Sequence, residues 1–169
     1  VLFAFLYTTG PYPLSYNGWG DILVIVFFGF VPVGGTYYVQ ALTWTTDTTI
    51  ASLICGLLID TLLVVNNYRD READARSGKR TVIVRFGEKF GSYLYLMLGM
   101  TASLLCFWFL FEGHLYAALL PLLYLIPHFL TWKRMVRIHS GKKLNSILGE
   151  TSRNMLLMGI LLSIGFFLN

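Results

Sequence analysis

Five apolar runs, at roughly 20–41, 47–67, 90–111, 114–132 and 153–168, occupy most of the 169 residues, and they constrain the fold more than any other feature. Each comes near to or exceeds the ~20 residues that a helix needs to cross a bilayer. Hydrocarbon offers no water to hydrogen-bond the backbone, so a spanning segment is a helix or part of a closed barrel. Barrel strands alternate apolar and polar side chains over ~10 residues; these runs are continuous, which selects helices. Composition agrees, with 56% hydrophobic and 13% charged residues, against ~25% charged in soluble domains. The expected architecture is all-α, a polytopic transmembrane helix bundle forming one domain over residues 1–169. The opening stretch VLFAFLYTTG is too short to cross and lacks the basic flank of a signal peptide. It reads as a helix tail. The chain is therefore expected to be the C-terminal part of a longer bundle, about five complete spans plus the tail of a sixth, with its N-terminal helices missing.

Charge placement orients the spans. All 13 Lys and Arg fall in two windows, 69–89 and 133–153, which follow the second and fourth spans and so share one side. The positive-inside rule makes that side cytoplasmic, and parity places the loop at 10–20 there as well. The opposite loops, near 42–47 and 112–114, carry only Asp47, Glu112 and His114. The net charge of +4 fits a basic patch facing anionic lipid, and no nucleic acid partner is expected. Cys55 and Cys106 stand alone in apolar spans and read as packing residues. His114, His128 and His139 sit in unrelated contexts, with no metal or triad pattern.

The run ASLICGLLIDTLLVVNNYRD stays helix-compatible to at least Asp74, with Gly78 as a natural stop. Asp60, Asn67 and Asp74 recur every seven residues. At ~100° per residue they nearly coincide on a helical wheel, with Asp70 beside them and Asn66 completing an arc of about 120°. One face is thus lined with carboxylates and amides from inside the membrane to its edge. Asp70 and Asp74, one turn apart, repel each other, and more strongly as the dielectric falls unless a cation intervenes. Mg²⁺ prefers oxygen ligands and joins one or two carboxylates to substrate phosphates, which points to a phosphate-bearing substrate. Lys79 and Arg80 directly follow Gly78, where a turn could fold them over the carboxylates as donors to phosphate oxygens. The competing reading is a helix end whose Asp and Arg side chains pair with each other. Asp60, two to three turns deeper, reads either as the lining of a polar substrate pocket or as a hydrogen-bonded structural group. Gly29, Gly34 and Gly35 read as sites of close helix approach or as room left for a substrate, packing being favoured.

The segment NNYRDREADARSGKRTVIVRFG resembles the second aspartate-rich motif of the UbiA superfamily of intramembrane prenyltransferases, N-x-x-x-D-x-x-x-D followed by a G-K-x-T-type segment. The resemblance covers the whole chain. It implies a nine-helix fold, of which this chain supplies the fifth to ninth helices and the tail of the fourth, with a first motif, N-D-x-x-D, upstream. It also implies Mg²⁺ as cofactor, a polyprenyl diphosphate and an aromatic acceptor as substrates, and a multi-pass protein of a bacterial inner membrane with cytoplasmic active-site loops. Asp70 and Asp74 would be Mg²⁺ ligands, Asn66 or Asn67 a supporting oxygen donor, and Lys79 and Arg80 diphosphate contacts. Arg69 and Arg71 would be counter-charges. Tyr7, Tyr12, Tyr16 and Trp19 would roof the cavity, where aromatic faces stabilise an allylic cation, or else form an interfacial belt. Asp60 joins the substrate-binding set, and Asp21 reads as a charge complementing the dipole of the next helix.

Within the superfamily, YTTGPYPLSYNGWGDILVIVFFG, the SGKRTVIVRFG ending and the L-N-x-x-L-x-x-T pattern at 144–151 resemble the 1,4-dihydroxy-2-naphthoate branch. That likeness implies prenyl transfer to the naphthoate with loss of CO₂, giving demethylmenaquinone. Other acceptors, 4-hydroxybenzoate or homogentisate, are the alternative. An ion-coupled transporter would need polar residues repeated along facing helices, and 90–111 and 114–132 show only isolated ones. Phosphotransfer to lipid alcohols would need a D-G-x-x-A-R pattern, which is absent.

Overall fold

The computed structural model describes residues 14–168; Tyr7 and Tyr12 lie outside that range. Five long apolar helices follow a short 3₁₀ turn, Leu14–Asn17. They are α1 (Gly20–Ala41), α2 (Thr46–Arg76), α3 (Val82–Phe111), α4 (Leu115–Ile138) and α5 (Lys142–Phe167). The described residues contain no strand. All five spans are found where expected, but the later helices outrun them: α2 continues past 67 to Arg76, and α3 and α5 begin well before theirs, at Val82 and Lys142.

Local chemistry sets the boundaries. Thr45 caps α2, its Oγ1 accepting from the Thr48 N–H at 3.1 Å, with Asp47 in the first turn as the sign of the helix dipole favours. At the other end Gly78 adopts φ +78°. Its N–H donates to the Ala75 carbonyl at 3.2 Å, and that of Lys79 to the Asp74 carbonyl at 2.9 Å, the two bonds of a Schellman stop. Thr81 then caps α3 through the Val84 N–H at 3.3 Å. The middle of α1, Ile25–Gly34, is π-helical around Pro32. Proline has no N–H for the regular ladder, and the wider turn absorbs the gap.

α2 is the spine, packed between α1 and α3 and touching α5. Its crossing with α1 is backbone on backbone. A Cβ on Gly29 would strike the Ser52 carbonyl and the backbone of Gly56, and one on Gly56 would lie 2.9 Å from the Ile25 Cα. Small residues are what permit such approach in a membrane. Gly34 abuts the Trp44 ring, whereas Gly35 faces open space, so only two of the three glycines serve packing.

α3, α4 and α5 enclose a polar layer. Tyr95 and Thr151 share a hydrogen bond of 3.0 Å, Asn154 donates to Thr131 Oγ1 at 2.9 Å, and Arg134 pairs with Glu150 at 2.8 Å. His128 shares a 2.9 Å bond with the Tyr124 hydroxyl through Nδ1, and its Nε2 lies 3.3 Å from the Leu96 carbonyl. Cys106 is also buried on α3, its Sγ donating to the Ala102 carbonyl at 3.4 Å. His128 is therefore part of the packing of this layer.

The two basic windows meet at one end of the bundle. Arg80 N–H donates to the Tyr16 carbonyl at 2.8 Å, Arg85 to the Asn17 carbonyl at 2.8 Å, and Arg71 to the His139 carbonyl at 3.0 Å. At the opposite end Trp108 donates to Asp47 at 2.7 Å. The alternation of charged and uncharged loops is thus a real alternation of ends.

Candidate active site

The polar face of α2 is buried where it faces its neighbours, with Asp60 1% and Asn67 7% exposed. Asn66 is half-buried, and Asp70 and Asp74 follow where the helix leaves the core. The turn at Gly78 reverses the chain so that Lys79 Nζ lies 3.4 Å from Asp74 Oδ1. Asp74 Oδ2 is buried and has no partner among the described residues. Arg80 diverges. Its side chain is exposed, and its backbone is tied to Tyr16, so of the two cations only Lys79 lies over the carboxylates.

Asp70 is held by the residue beside it. Arg69 Nε donates to Oδ1 at 2.7 Å and Nη2 to Oδ2 at 2.6 Å, while Nη1 reaches Asn145 Oδ1 on α5 at 3.0 Å. Arg71 donates to Glu88 Oε2 on α3 at 3.0 Å and to the carbonyls of Tyr68, at 2.6 Å, and His139. Its guanidinium also sits over the Tyr68 ring, 4.7 Å from the centroid. The expectation that these arginines are counter-charges alone is corrected. Each ties the end of α2 to other helices, because a planar guanidinium offers five donors in a fixed fork. Glu88, His139 and Asn145, which no local pattern singles out, are their partners.

A small pocket opens beside Lys79, lined by Gly18, Gly20, Asp21, Leu63, Asn67, Lys79 and Thr81. Tyr16 and Trp19 do not line it, being 41% and 48% exposed. The roof on this side is the glycine turn itself. Gly18 has φ +83°, and a Cβ there would lie 3.2 Å from the Arg80 carbonyl, so an aromatic residue has no room at this point. Asp21 does sit in the first turn of α1, but its Oδ1 is buried without a partner, as is Asp60 Oδ1. A dipole-complementing charge in water would not be.

The donor set can be tested for Mg²⁺. Among the described residues no three Asp, Glu, His or Cys side chains converge as a cage. Mg²⁺ needs none, since one or two carboxylates plus substrate phosphates and waters suffice. Asp74 offers a buried, unpartnered oxygen, Asn67 a neutral one nearby, and Lys79 a charge suited to phosphate. The residues fit the ion, provided Arg69 releases Asp70.

The sequence profile of the UbiA prenyltransferase family matches residues 1–167. The chain belongs to that family. It is 34% identical to the 1,4-dihydroxy-2-naphthoate octaprenyltransferase of Haemophilus influenzae, over 99% of this chain and 55% of that protein. The protein of the same name from Escherichia coli is 33% identical, over 100% of this chain and 55% of its own length. That of Mycobacterium tuberculosis is 42% identical over 62% of this chain and 36% of its own. The chain thus spans about half the length of the two relatives that match it throughout. No solved structure matches significantly. For a UbiA-family chain, five apolar helices with the basic residues gathered at one end are the arrangement of an integral membrane protein.

Proposed function

We propose that the chain forms the diphosphate-binding half of an Mg²⁺-dependent prenyltransferase that moves a polyprenyl group from its diphosphate to 1,4-dihydroxy-2-naphthoate, with loss of CO₂, in menaquinone synthesis. The observation that carries this reading is the Schellman turn at Gly78, which returns Lys79 to Asp74 one helical turn beyond Asp70. The names of the relatives support the acceptor. The basic end would face the cytoplasm, since both basic windows collect there, and the whole of 1–169 would act as one domain.

In this reading Lys79 holds the diphosphate as a fixed positive charge, and Arg80, exposed one residue on, meets its outer oxygens. Asp70 and Asp74 hold Mg²⁺, with Asn66 or Asn67 as a supporting oxygen. When bound, Mg²⁺ supplies charge neutralisation on the departing diphosphate. Arg69 and Arg71 keep the end of α2 from shifting as charge leaves, so the donors are aimed before reaction begins. The apolar faces of the helices accommodate the isoprenoid tail, and Tyr7, Tyr12 and Tyr16 are proposed as substrate contacts.

The test uses membranes holding the full-length protein, supplied with a polyprenyl diphosphate and, separately, 1,4-dihydroxy-2-naphthoate, 4-hydroxybenzoate or homogentisate. Prenylated product from the naphthoate alone, abolished by EDTA and restored by Mg²⁺, is expected. Product from another acceptor alone rejects the naphthoate assignment; activity in EDTA rejects the metal.

A further inference from the structure

The pocket beside Lys79 is about 30 Å³, above the ~10–15 Å³ that one water needs. It has room for a small polar group such as a hydroxyl. Its polar lining comes from Asp21, Asn67, Lys79 and Thr81. Lys79 is engaged with Asp74, and Thr81 Oγ1 accepts from the Val84 N–H. Asp21 lines this space, and its Oδ1 is buried with no partner among the described residues. Behind it, Asp60 is 1% exposed and also has an unpartnered Oδ1. Asp60, Leu63 and Asn67 stand three and four residues apart on α2, one stripe of a helix, and the last two line the pocket. Asp60 is therefore one turn below its floor, within electrostatic reach of Asp21.

Carboxylate oxygens accept hydrogen bonds and donate none, and an unsatisfied buried acceptor costs about 1–3 kcal/mol. The open oxygen of Asp21 beside this pocket, with that of Asp60 behind it, calls for an O–H donor. We propose that Asp21 is a catalytic residue that binds a ring hydroxyl of the aromatic acceptor and takes its proton during alkylation, with Asp60 positioning it from below. This rests on the reading of the site as a prenyltransferase. Lys79 fixes the diphosphate on one side of the pocket and Asp21 the hydroxyl on the other, which sets the ring beside the donor's C1. As the O–H bond breaks, its proton passes to the Asp21 carboxylate and the oxygen's electron pair enters the ring. The new carbon–carbon bond forms to C1, whose bond to oxygen breaks, and the pair leaves with diphosphate. The ring carbon bearing that oxygen becomes a carbonyl.

The experiment compares the full-length protein with Asp21→Asn, each offered the acceptor and the same acceptor with one hydroxyl methylated. The unaltered protein should lose about 10- to 100-fold in kcat/KM on methylation, the range for a hydrogen bond to a charged group. Asp21→Asn should lose as much with the parent acceptor, yet treat the two acceptors within about threefold of each other, the signature of a coupled pair. The KM for polyprenyl diphosphate and the Mg²⁺ half-saturation should not move. Retained discrimination in Asp21→Asn, or an altered Mg²⁺ requirement, overturns the proposal. If Asp21→Asn does not insert, Asp21→Glu keeps a carboxylate and should keep the discrimination at lower kcat; losing the discrimination overturns it equally. If the unaltered protein prenylates no aromatic ring, the function itself fails, a result separable from any difference between variants.

Discussion

Two groups of polar side chains lie buried in this membrane bundle, and they differ in one respect. In the layer between α3, α4 and α5, the charged and hydrogen-bonding groups have found each other: Glu150 with Arg134 and Thr131, Asn154 with Thr131, Tyr95 with Thr151, and His128 with Tyr124. The polar atoms left over nearby are neutral, such as Ser103 Oγ and Trp132 Nε1. Along α1 and α2 the leftovers are the Ser52 hydroxyl and three carboxyl oxygens, at Asp21, Asp60 and Asp74. A buried carboxylate without partners is far more costly than a buried hydroxyl. A fold that leaves one oxygen open on each of three acids on one side, Asp74 being paired with Lys79 only through the other, while satisfying the acid on the other side has reserved that region for something it binds.

The largest effect expected from this contrast is on catalysis. Asp74→Asn keeps the shape and the Lys79 contact but removes the charge. It should lower kcat by about 10²–10³-fold or more, as loss of a group that stabilises departing charge does, with melting temperature in detergent unchanged or raised. Asp70→Asn should act similarly, though it also frees Arg69 to shift. Single-turnover prenyl transfer is the measurement, and either variant at unaltered rate would remove its carboxylate from the reaction.

Glu150→Ala should do the reverse. It leaves Arg134 and Thr131 without an acceptor inside the bundle, a loss of about 1–3 kcal/mol visible as a lower melting temperature, while the KM for polyprenyl diphosphate stays put. A kinetic defect at full stability would show that the α3–α5 layer reaches the substrate.

Much of this division is visible in the sequence, and the rest is hidden for a physical reason. The Asp60, Asn67, Asp74 repeat and the Gly78 stop are local, because a helix fixes which residues share a face and a glycine fixes where it ends. The gathering of basic loops follows from counting spans. Arg69 and Arg71 mislead, because a guanidinium on a helix end reads as a surface charge until the partners are known. Those partners, Asn145, Glu88 and His139, come from three other segments. Asp21 misleads differently. An acid in a first turn already has an explanation in the helix dipole, and only its burial against α2 shows that explanation to be insufficient.

An intermediate effect belongs to Gly78→Ala. At φ +78° an added Cβ costs about 1 kcal/mol, with no neighbour within 4 Å to clash, so the chain should still fold. The strain is relieved by opening the turn that brings Lys79 to Asp74. A fall of about fivefold in kcat/KM, the equivalent of that energy, is therefore expected, mainly through the KM for polyprenyl diphosphate. An unchanged KM would mean that the turn's geometry is not what presents Lys79 to its ligand.

The smallest effect, and the sharpest test of the contrast, is Tyr95→Phe. Tyr95 is fully buried, stacked on His128 at 4.6 Å between ring centroids, and bonded through its hydroxyl to Thr151. Phenylalanine keeps the ring and the stack and deletes one hydrogen bond whose remaining partner, a threonine hydroxyl, can rotate to a carbonyl of its own helix. The cost should be about 0.5–1 kcal/mol, a small shift in melting temperature with transfer kinetics unchanged for both substrates. Should this variant instead slow turnover at equal stability, the pairing of the acid and its neighbours in that layer would no longer mark it as scaffold, and the inference from unpartnered oxygens at Asp21, Asp60 and Asp74 would lose its control.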